Sequence, residues 1–255
     1  MRNKMSKRHV GIAQMKFQTS FDSIESLVNF SRKIENGNFH FCSASTVARA
    51  SRDIKLAEII SSGFAIADST PLAFTLTGNR NATIRGTTFT RKFCETSVLG
   101  ERVLLVGSTP LVLNLLKDKL QLLNSEIDLV GFYSPCFSDS VEVKVNQTSK
   151  ILFECKPEFI FVALSSPQQD YFIDLLAREY PAKYFAVGAA FDFIAGTKAE
   201  APYWLQGTGF EWLFRLANEP RRLWKRYLID NLIFCKLSLD YVVHRIWTRF
   251  KHVKK

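Results

Sequence analysis

Six short apolar runs punctuate the chain: Phe39–Cys42, Phe64–Ala67, Val103–Val106, Ile127–Phe132, Phe159–Leu164 and Tyr184–Val187. Each is bounded by turn residues or by an amphipathic stretch, the mark of strands buried on both faces. Between them the spacing predicts helices near 44–61, 71–79, 88–98, 109–123, 142–155 and 168–179. The segment Asp139–Val145 alternates polar and apolar residues, which is the weakest helical pattern among them. Strands alternating with helices require right-handed crossovers, and therefore an α/β fold with a mainly parallel sheet and helices on both faces. After Gly209 there is no glycine and after Pro220 no proline, so 221–255 can be helical throughout. The pattern divides the chain into an α/β core, 1–219, and a helical appendage, 220–255.

Charge follows the same division. The chain carries 34 Lys and Arg against 24 Asp and Glu, a net +10. Residues 1–16 hold +5 of this and residues 221–255 hold +8, which leaves −3 over 17–220. A uniformly basic nucleic-acid-binding domain would not show this division, and nucleic acid is not among the expected partners. No uncharged run reaches the roughly 18–20 apolar residues that cross a bilayer. The stretch after the basic N-terminus, His9–Met15, is too short and polar for the core of a signal peptide. The expectation is a chain that is neither integral to a membrane nor exported. The tail nevertheless sets Trp224, Tyr227, Phe234, Tyr241, Trp247 and Phe250 among ten Lys and Arg. That pattern suits a helix lying in an anionic bilayer interface, and equally an amphipathic helix packed on the core with a solvated cationic face.

Cys42, Cys94, Cys136, Cys155 and Cys235 are far apart and form no Cys-x-x-Cys, so reduced, mostly buried thiols are expected rather than a zinc or redox site. The four histidines lie mainly in the cationic ends, which speaks against a histidine metal centre or a catalytic triad.

In parallel sheets ligands collect at the carboxyl ends of the strands. Those ends hold Ser43, Asp68, Gly107–Pro110, Ser134–Phe137, Ser165–Gln169 and Gly188–Asp192. In Ala67-Asp68-Ser69-Thr70-Pro71, the local pattern is a helix start with Thr70 as N-cap, Pro71 first in the helix and Asp68 on the helix dipole. A carboxylate there also suits a general base. Gly107-Ser108-Thr109-Pro110 fits an ordinary β–α turn as well as a turn that cradles phosphate. Gln169 could read a sugar hydroxyl or a base edge, while Ser166 and Pro167 resemble an N-cap and first helical residue. Asp192 either faces a ligand or ties its own loop. No Asp-x-Asp occurs, so a diphosphate leaving group would need arginine or lysine, which is densest over Glu219–Tyr227.

In chain order, Ala67-Asp68, Arg85-Gly86-Thr87-Thr88-Phe89 and Val162-Ala163-Leu164-Ser165-Ser166-Pro167-Gln168-Gln169-Asp170 are followed by Val187-Gly188, Phe191-Asp192, Ala195-Gly196 and Ala201-Pro202. Gly209-Phe210-Glu211-Trp212-Leu213-Phe214-Arg215-Leu216 and Glu219-Pro220-Arg221-Arg222 complete the series. These motifs resemble those of the WecG/TagA/CpsF glycosyltransferases, and the resemblance covers about residues 40–230.

The resemblance implies a Rossmann-like α/β core and an inverting transfer that uses no metal and no cofactor. The sugar, of the N-acetylmannosamine or hexose type, would pass from a UDP-sugar to a polyprenyl-diphosphate-linked saccharide acceptor in surface polysaccharide assembly. It places the chain in the cytoplasm, peripherally on the inner face of the cell membrane, with its C-terminal helix on the anionic surface. A homo-oligomer is compatible with this.

Asp68 would be the general base and Gln169 a substrate-site residue. Arg215, Arg221, Arg222 or Arg226 would neutralise the departing diphosphate. Ser43, Arg85, Gly107, Ser108, Gly188 and Asp192 complete the expected substrate site. Ser69, Thr88 and Ser43 depart from the family's usual glycine, aspartate and asparagine, which leaves the donor sugar open. The competing reading is a non-catalytic nucleotide- or nucleic-acid-binding α/β protein that uses its basic ends. A nucleotide-cofactor oxidoreductase or methyltransferase is opposed by the absence of Gly-x-Gly-x-x-Gly.

Overall fold

The computed structural model describes residues 9–19, 21 and 23–253. Most of the basic N-terminal head lies outside them. The chain enters through a hairpin, β1 (His9–Ile12) and β2 (Met15–Gln18), and continues into α1 (Ile24–Lys33), whose start is closed by reciprocal hydrogen bonds between Ser23 and Ser26. Then follow β3 (Gly37–Cys42), α2 (Ala44–Ala50), α3 (Ile54–Ser62), β4 (Phe64–Ala67), α4 (Thr70–Thr77) and α5 (Gly86–Glu95). The second half runs β5 (Val103–Gly107), α6 (Pro110–Leu123), β6 (Leu129–Tyr133), α7 (Val141–Cys155), β7 (Phe159–Ala163), α8 (Gln168–Glu179) and β8 (Lys183–Ala186). It ends with α9 (Ala190–Ala195), α10 (Glu211–Asn218) and α11 (Pro220–Val253).

The strands form one eight-stranded sheet in the order β1-β2-β4-β3-β8-β7-β5-β6, parallel except for the β1–β2 hairpin. All six expected strands are present, with small shifts at their ends. The weakly patterned start of α7 is helical after all, capped by Ser140.

Three expectations are corrected. The helix expected over 44–61 is two helices, because the Asp53 carboxylate accepts the Leu56 N–H at 3.1 Å and starts α3 afresh. Thr70 is not the cap of α4: Ser69 is, with Thr70 and Pro71 inside the helix. Pro167, not Ser166, precedes α8. The hairpin, α1, α9 and α10 are additions to the elements that the sequence pattern predicts.

Alternate residues of each strand face opposite layers. On one side Phe39, Phe41, Phe159, Phe161 and Phe185 meet Phe89 and Phe93 of α5, under α1, α6 and α9. Each such ring contributes about 1.5–3 kcal/mol by burial. On the other side Leu104, Val106, Ile160, Val162 and Tyr184 lie under α7 and α8, and Phe17, Cys42 and Ala65 lie under α2 and α3.

α11 buries Leu223 and Phe234 and packs Ile233, Leu237 and Tyr241 against this second layer. Arg245 donates to the Leu76 carbonyl at 2.9 Å, which ties the far end of α11 to α4. Its outer face exposes Trp224, Leu228, Leu232, Leu239, Val243 and Ile246, a stripe at helical spacing. Among the described residues no helix is long and apolar enough to cross a membrane. The cysteines are free as expected, but only Cys42 and Cys94 are buried, while Cys136 and Cys235 are exposed.

Candidate active site

The chain leaving β3 enters α2 on one face of the sheet, and the chain leaving β8 enters α9 on the other. A crevice therefore opens at the carboxyl ends of these two neighbouring strands. Asp68 follows β4 beside it. Its backbone N–H donates to the Cys42 carbonyl at 2.8 Å, which extends the β3–β4 ladder by one bond and fixes where the carboxylate emerges.

The local reading set Asp68 on the dipole of α4. Its Oδ1 instead accepts the N–H of Gly86, the first residue of α5, at 2.8 Å. Burial is the main influence on this carboxyl and pushes it up to about 6, against the opposing pull of the Gly86 N–H and of Arg215 and Arg85. Gly86 is small for a reason: a Cβ there would lie 3.2 Å from the Val187 carbonyl and 3.4 Å from the Phe41 ring.

Arg85 and Arg215 are brought to Asp68 by the segment after α9. Arg85 donates to Oε1 of Gln206 at 3.0 Å and pairs with Glu211, which also accepts the Gly207 N–H at 3.0 Å. Gln206 in turn donates to the Ala201 carbonyl at 2.8 Å. Gly209 has φ 91°, and a Cβ there would lie 3.6 Å from Pro71, so the Gly-rich turn before α10 lies on the start of α4. Arg215 stacks on Phe193, 4.8 Å from the ring centre. Glu211 and Gln206 were not singled out as site residues in the sequence, although Glu211 lies in the Gly-Phe-Glu-Trp motif that pointed to this region.

Gln169 is buried in the first turn of α8. Its Nε2 makes a long 3.4 Å bond to the Ala186 carbonyl, and its Oε1 has no hydrogen-bond partner among the described residues. That oxygen lies 4.0 Å from where a Cβ on Gly188 would stand, and Gly188 has φ 60°. A buried amide oxygen left without a donor costs about 1–3 kcal/mol, so its orientation toward the Gly188 turn marks a place where a ligand donor would fit. Asp68 with Arg85 and Arg215, and Gln169 with Gly188, thus lie at the carboxyl ends of the strands and are linked through Gly86, which bonds Asp68 and abuts Val187.

The other expected residues are held differently. Ser43 caps α2, its Oγ accepting the Thr46 N–H at 3.3 Å. Ser69 accepts the Ala44 N–H at 3.2 Å, and with φ −127° this position has no need of glycine. Gly107 (φ 115°) and Ser108 (φ 57°) turn the chain against β7, with the Ser108 N–H on the Ala163 carbonyl at 3.2 Å and the Ser108 carbonyl accepting Ser134 Oγ at 2.7 Å. Asp192 ties its own loop: Lys198 pairs with its carboxylate at 3.0 Å, and Thr197 and Lys198 donate to its carbonyl. Arg222 pairs with Glu219, Arg221 is exposed, and Arg226 lies 3.9 Å from the buried Asp230. Cys42, between Asp170 and Asp68, is made inert by burial and by both carboxylates, which push its thiol well up. Among the described residues no three of His, Cys, Asp and Glu group as metal ligands.

One curated relative, the N-acetylglucosaminyldiphosphoundecaprenol N-acetyl-beta-D-mannosaminyltransferase of Bacillus subtilis (strain 168), is 30% identical over 129 residues. That match covers 50% of this chain and 48% of the relative, so it spans about half the length of each. The model of the glycosyl transferase WecG/TagA/CpsF family matches residues 8–248, which takes in every strand of the sheet, the Asp68 crevice and most of α11. With a match of that extent over an α/β fold that gathers the family-like motifs at one rim, the chain belongs to the WecG/TagA/CpsF glycosyl transferase family.

Proposed function

We propose that the protein is an inverting glycosyltransferase that moves a sugar, of the N-acetylmannosamine or hexose type, from a UDP-sugar to a polyprenyl-diphosphate-linked acceptor without a metal ion. The observation that carries this reading is the Asp68 carboxyl, pushed up to about 6 at the end of β4 with Arg85 and Arg215 beside it. A base of that strength is ionised at neutral pH and readily holds the proton it takes. In the proposed step an acceptor hydroxyl gives its proton to Asp68 while its oxygen bonds to the anomeric carbon. The bond from that carbon to the β-phosphate oxygen breaks on the opposite side, and UDP leaves with the electron pair. A single displacement of this kind inverts the anomeric centre.

Charge builds on the departing diphosphate, and guanidinium groups suit it. Arg215, with Arg221 and Arg222 at the junction of α10 and α11, is proposed for this role. The name of the Bacillus relative, a mannosaminyltransferase acting on a diphosphoundecaprenol-linked sugar, supports the acceptor class. The exposed stripe of α11, set in a tail of +8, supports a peripheral seat on an anionic cytoplasmic membrane surface, where such an acceptor lies.

The test is turnover of a panel of UDP-sugars with a synthetic lipid-diphosphate-linked acceptor, in the presence and absence of EDTA, with the product anomer read by NMR. UDP release with an inverted product and no loss in EDTA is expected. Retention of configuration, or activity that vanishes in EDTA and returns with a divalent ion, would overturn the mechanism.

A further inference from the structure

The turn that carries Gln169 is held from two directions. On the sheet side, Asp170 is fully buried and accepts from His40 Nδ1 at 2.7 Å and from Ser166 Oγ at 2.8 Å. His40 comes from the centre of β3, so the first turn of α8 is pinned to the strand beside the crevice. On the other side, Arg49 of α2 donates through Nη1 to the Ser166 carbonyl. The same guanidinium has its Nε 3.5 Å from Oδ2 of Asp230 on α11.

Asp230 is 4% exposed and is also approached by Arg52 at 3.0 Å and Arg226 at 3.9 Å. A buried carboxylate among three guanidinium groups keeps its place, because losing its partners would strand a charge away from water. Arg52, in the turn after α2, has side-chain hydrogen bonds among the described residues to Asp230 and to the Ala48 carbonyl of α2, and none to the turn before α8. Arg49 is therefore the side chain with one edge on α11 and the other on the turn that holds Gln169. The planar guanidinium can serve both partners at once, whereas a lysine ammonium on its single stem would serve them poorly.

We propose that Arg49 is a positioning residue for Gln169, which transmits the seating of α11 through the Ser166 carbonyl to the turn between β7 and α8. The significance given to Gln169 rests on the glycosyltransferase reading, but the link itself does not. A displacement of α11, by whatever its outer face meets, would then loosen the Gln169 amide. Because α11 exposes an apolar stripe on its outer face and holds Asp230 on its inner one, a contact on the first would bear on the second. Such coupling acts through the relative stability of two arrangements of the turn and works in both directions.

Hydrogen exchange of the full-length chain, followed by mass spectrometry over the peptide containing residues 165–172, tests the link. The reporters are the Gln169 N–H on the Ser165 carbonyl and the Asp170 N–H on the Pro167 carbonyl. Asp230→Asn and Arg49→Ala are each expected to speed exchange there by about 5-fold or more. The double variant should do no more than the larger single one, since both cut the same connection. Arg49→Lys, the milder change, should act in the same direction.

Arg52→Ala removes an Asp230 partner without touching the turn and should leave exchange there within about 2-fold. Unchanged exchange in both Asp230→Asn and Arg49→Lys would overturn the proposal, as would equal acceleration in Arg52→Ala. In the same samples, UDP affinity should fall in parallel with the loosening. Failure of the wild-type chain to bind UDP would count against the glycosyltransferase reading and leave the exchange result standing.

Discussion

The backbone N–H of Gly86 donates to the Asp68 carboxylate at 2.8 Å, so a side chain at the end of β4 caps a helix that begins 18 residues later. This bond holds one oxygen of the carboxylate in place while burial raises its proton affinity, the two conditions a general base needs.

Asp68→Asn should lower transfer by about 10²–10⁴-fold with UDP binding retained. Asparagine keeps an oxygen for the Gly86 N–H and removes a partly desolvated charge. In the native fold the carboxyl titrates at about 6, above its ordinary 3.8, so the folded state binds the proton more tightly than the unfolded one. Its cost to stability is therefore absent below about pH 4, grows between about pH 4 and 6, and is complete above. Thermal melts should show the variant at or above wild type at pH 7, with the difference closing toward pH 4. A variant with full turnover would remove Asp68 from the mechanism.

Arg85 and Glu211 act on that carboxyl in opposite directions, the arginine lowering its proton affinity and the glutamate raising it. Arg85→Ala should move the acidic limb of the pH–rate profile to higher pH, and Glu211→Gln should move it to lower pH. Shifts of the same sign in the two variants would show that the limb belongs to another group.

Gln169→Ala should weaken UDP-sugar binding by about 10-fold, the worth of one hydrogen bond of about 1.4 kcal/mol. The melting temperature should barely change, because among the described residues the side chain makes one long 3.4 Å bond, to the Ala186 carbonyl, and the space left by truncation is offset by removing a buried oxygen that has no donor. Isothermal titration with the donor, alongside a melt, separates the two effects.

Gly107→Ala should destabilise the fold. Its φ of 115° is disfavoured for alanine, and the new Cβ would lie 2.6 Å from the backbone of Ala163 in β7. Strain and overlap together should cost about 2–4 kcal/mol, read as a lower denaturation midpoint in urea.

Leu228→Glu with Leu232→Glu should leave stability unchanged, since both side chains are well exposed on the outer face of α11. If that face lies in a membrane interface, each lost leucine removes about 1.5–3 kcal/mol of burial, and sedimentation with anionic vesicles should fall by 10-fold or more. Unaltered sedimentation would assign the +8 tail a different surface.

The sheet was legible because parallel strands buried on both faces are nearly continuous apolar runs, as Val103–Val106 and Phe159–Leu164 are. The entry hairpin was not, because its turn uses Ala13 and Gln14 at φ 51° and 63° in place of the usual asparagine or glycine. Between α2 and α3 the apolar spacing runs on, and the break shows only in the folded chain, where α2 ends at Ala50 and the Asp53 side chain, which also accepts the Tyr171 hydroxyl at 2.7 Å, caps the start of α3.

The sequence by itself determined the α/β class, the strand ends where chemistry would gather, the prominence of Asp68 and Gln169, and the cationic tail. Each of these is written in neighbouring residues, through periodicity, local motif or charge. Only the tertiary structure decided which helix Asp68 caps, that Arg85 meets Glu211 across 126 residues, and that Arg49 joins Ser166 to Asp230. It also decided that Ser43, Ser108 and Asp192 hold turns and loops where they stand. Those partners are distant in the chain, and nothing in local spacing records a contact that exists only once the layers have packed.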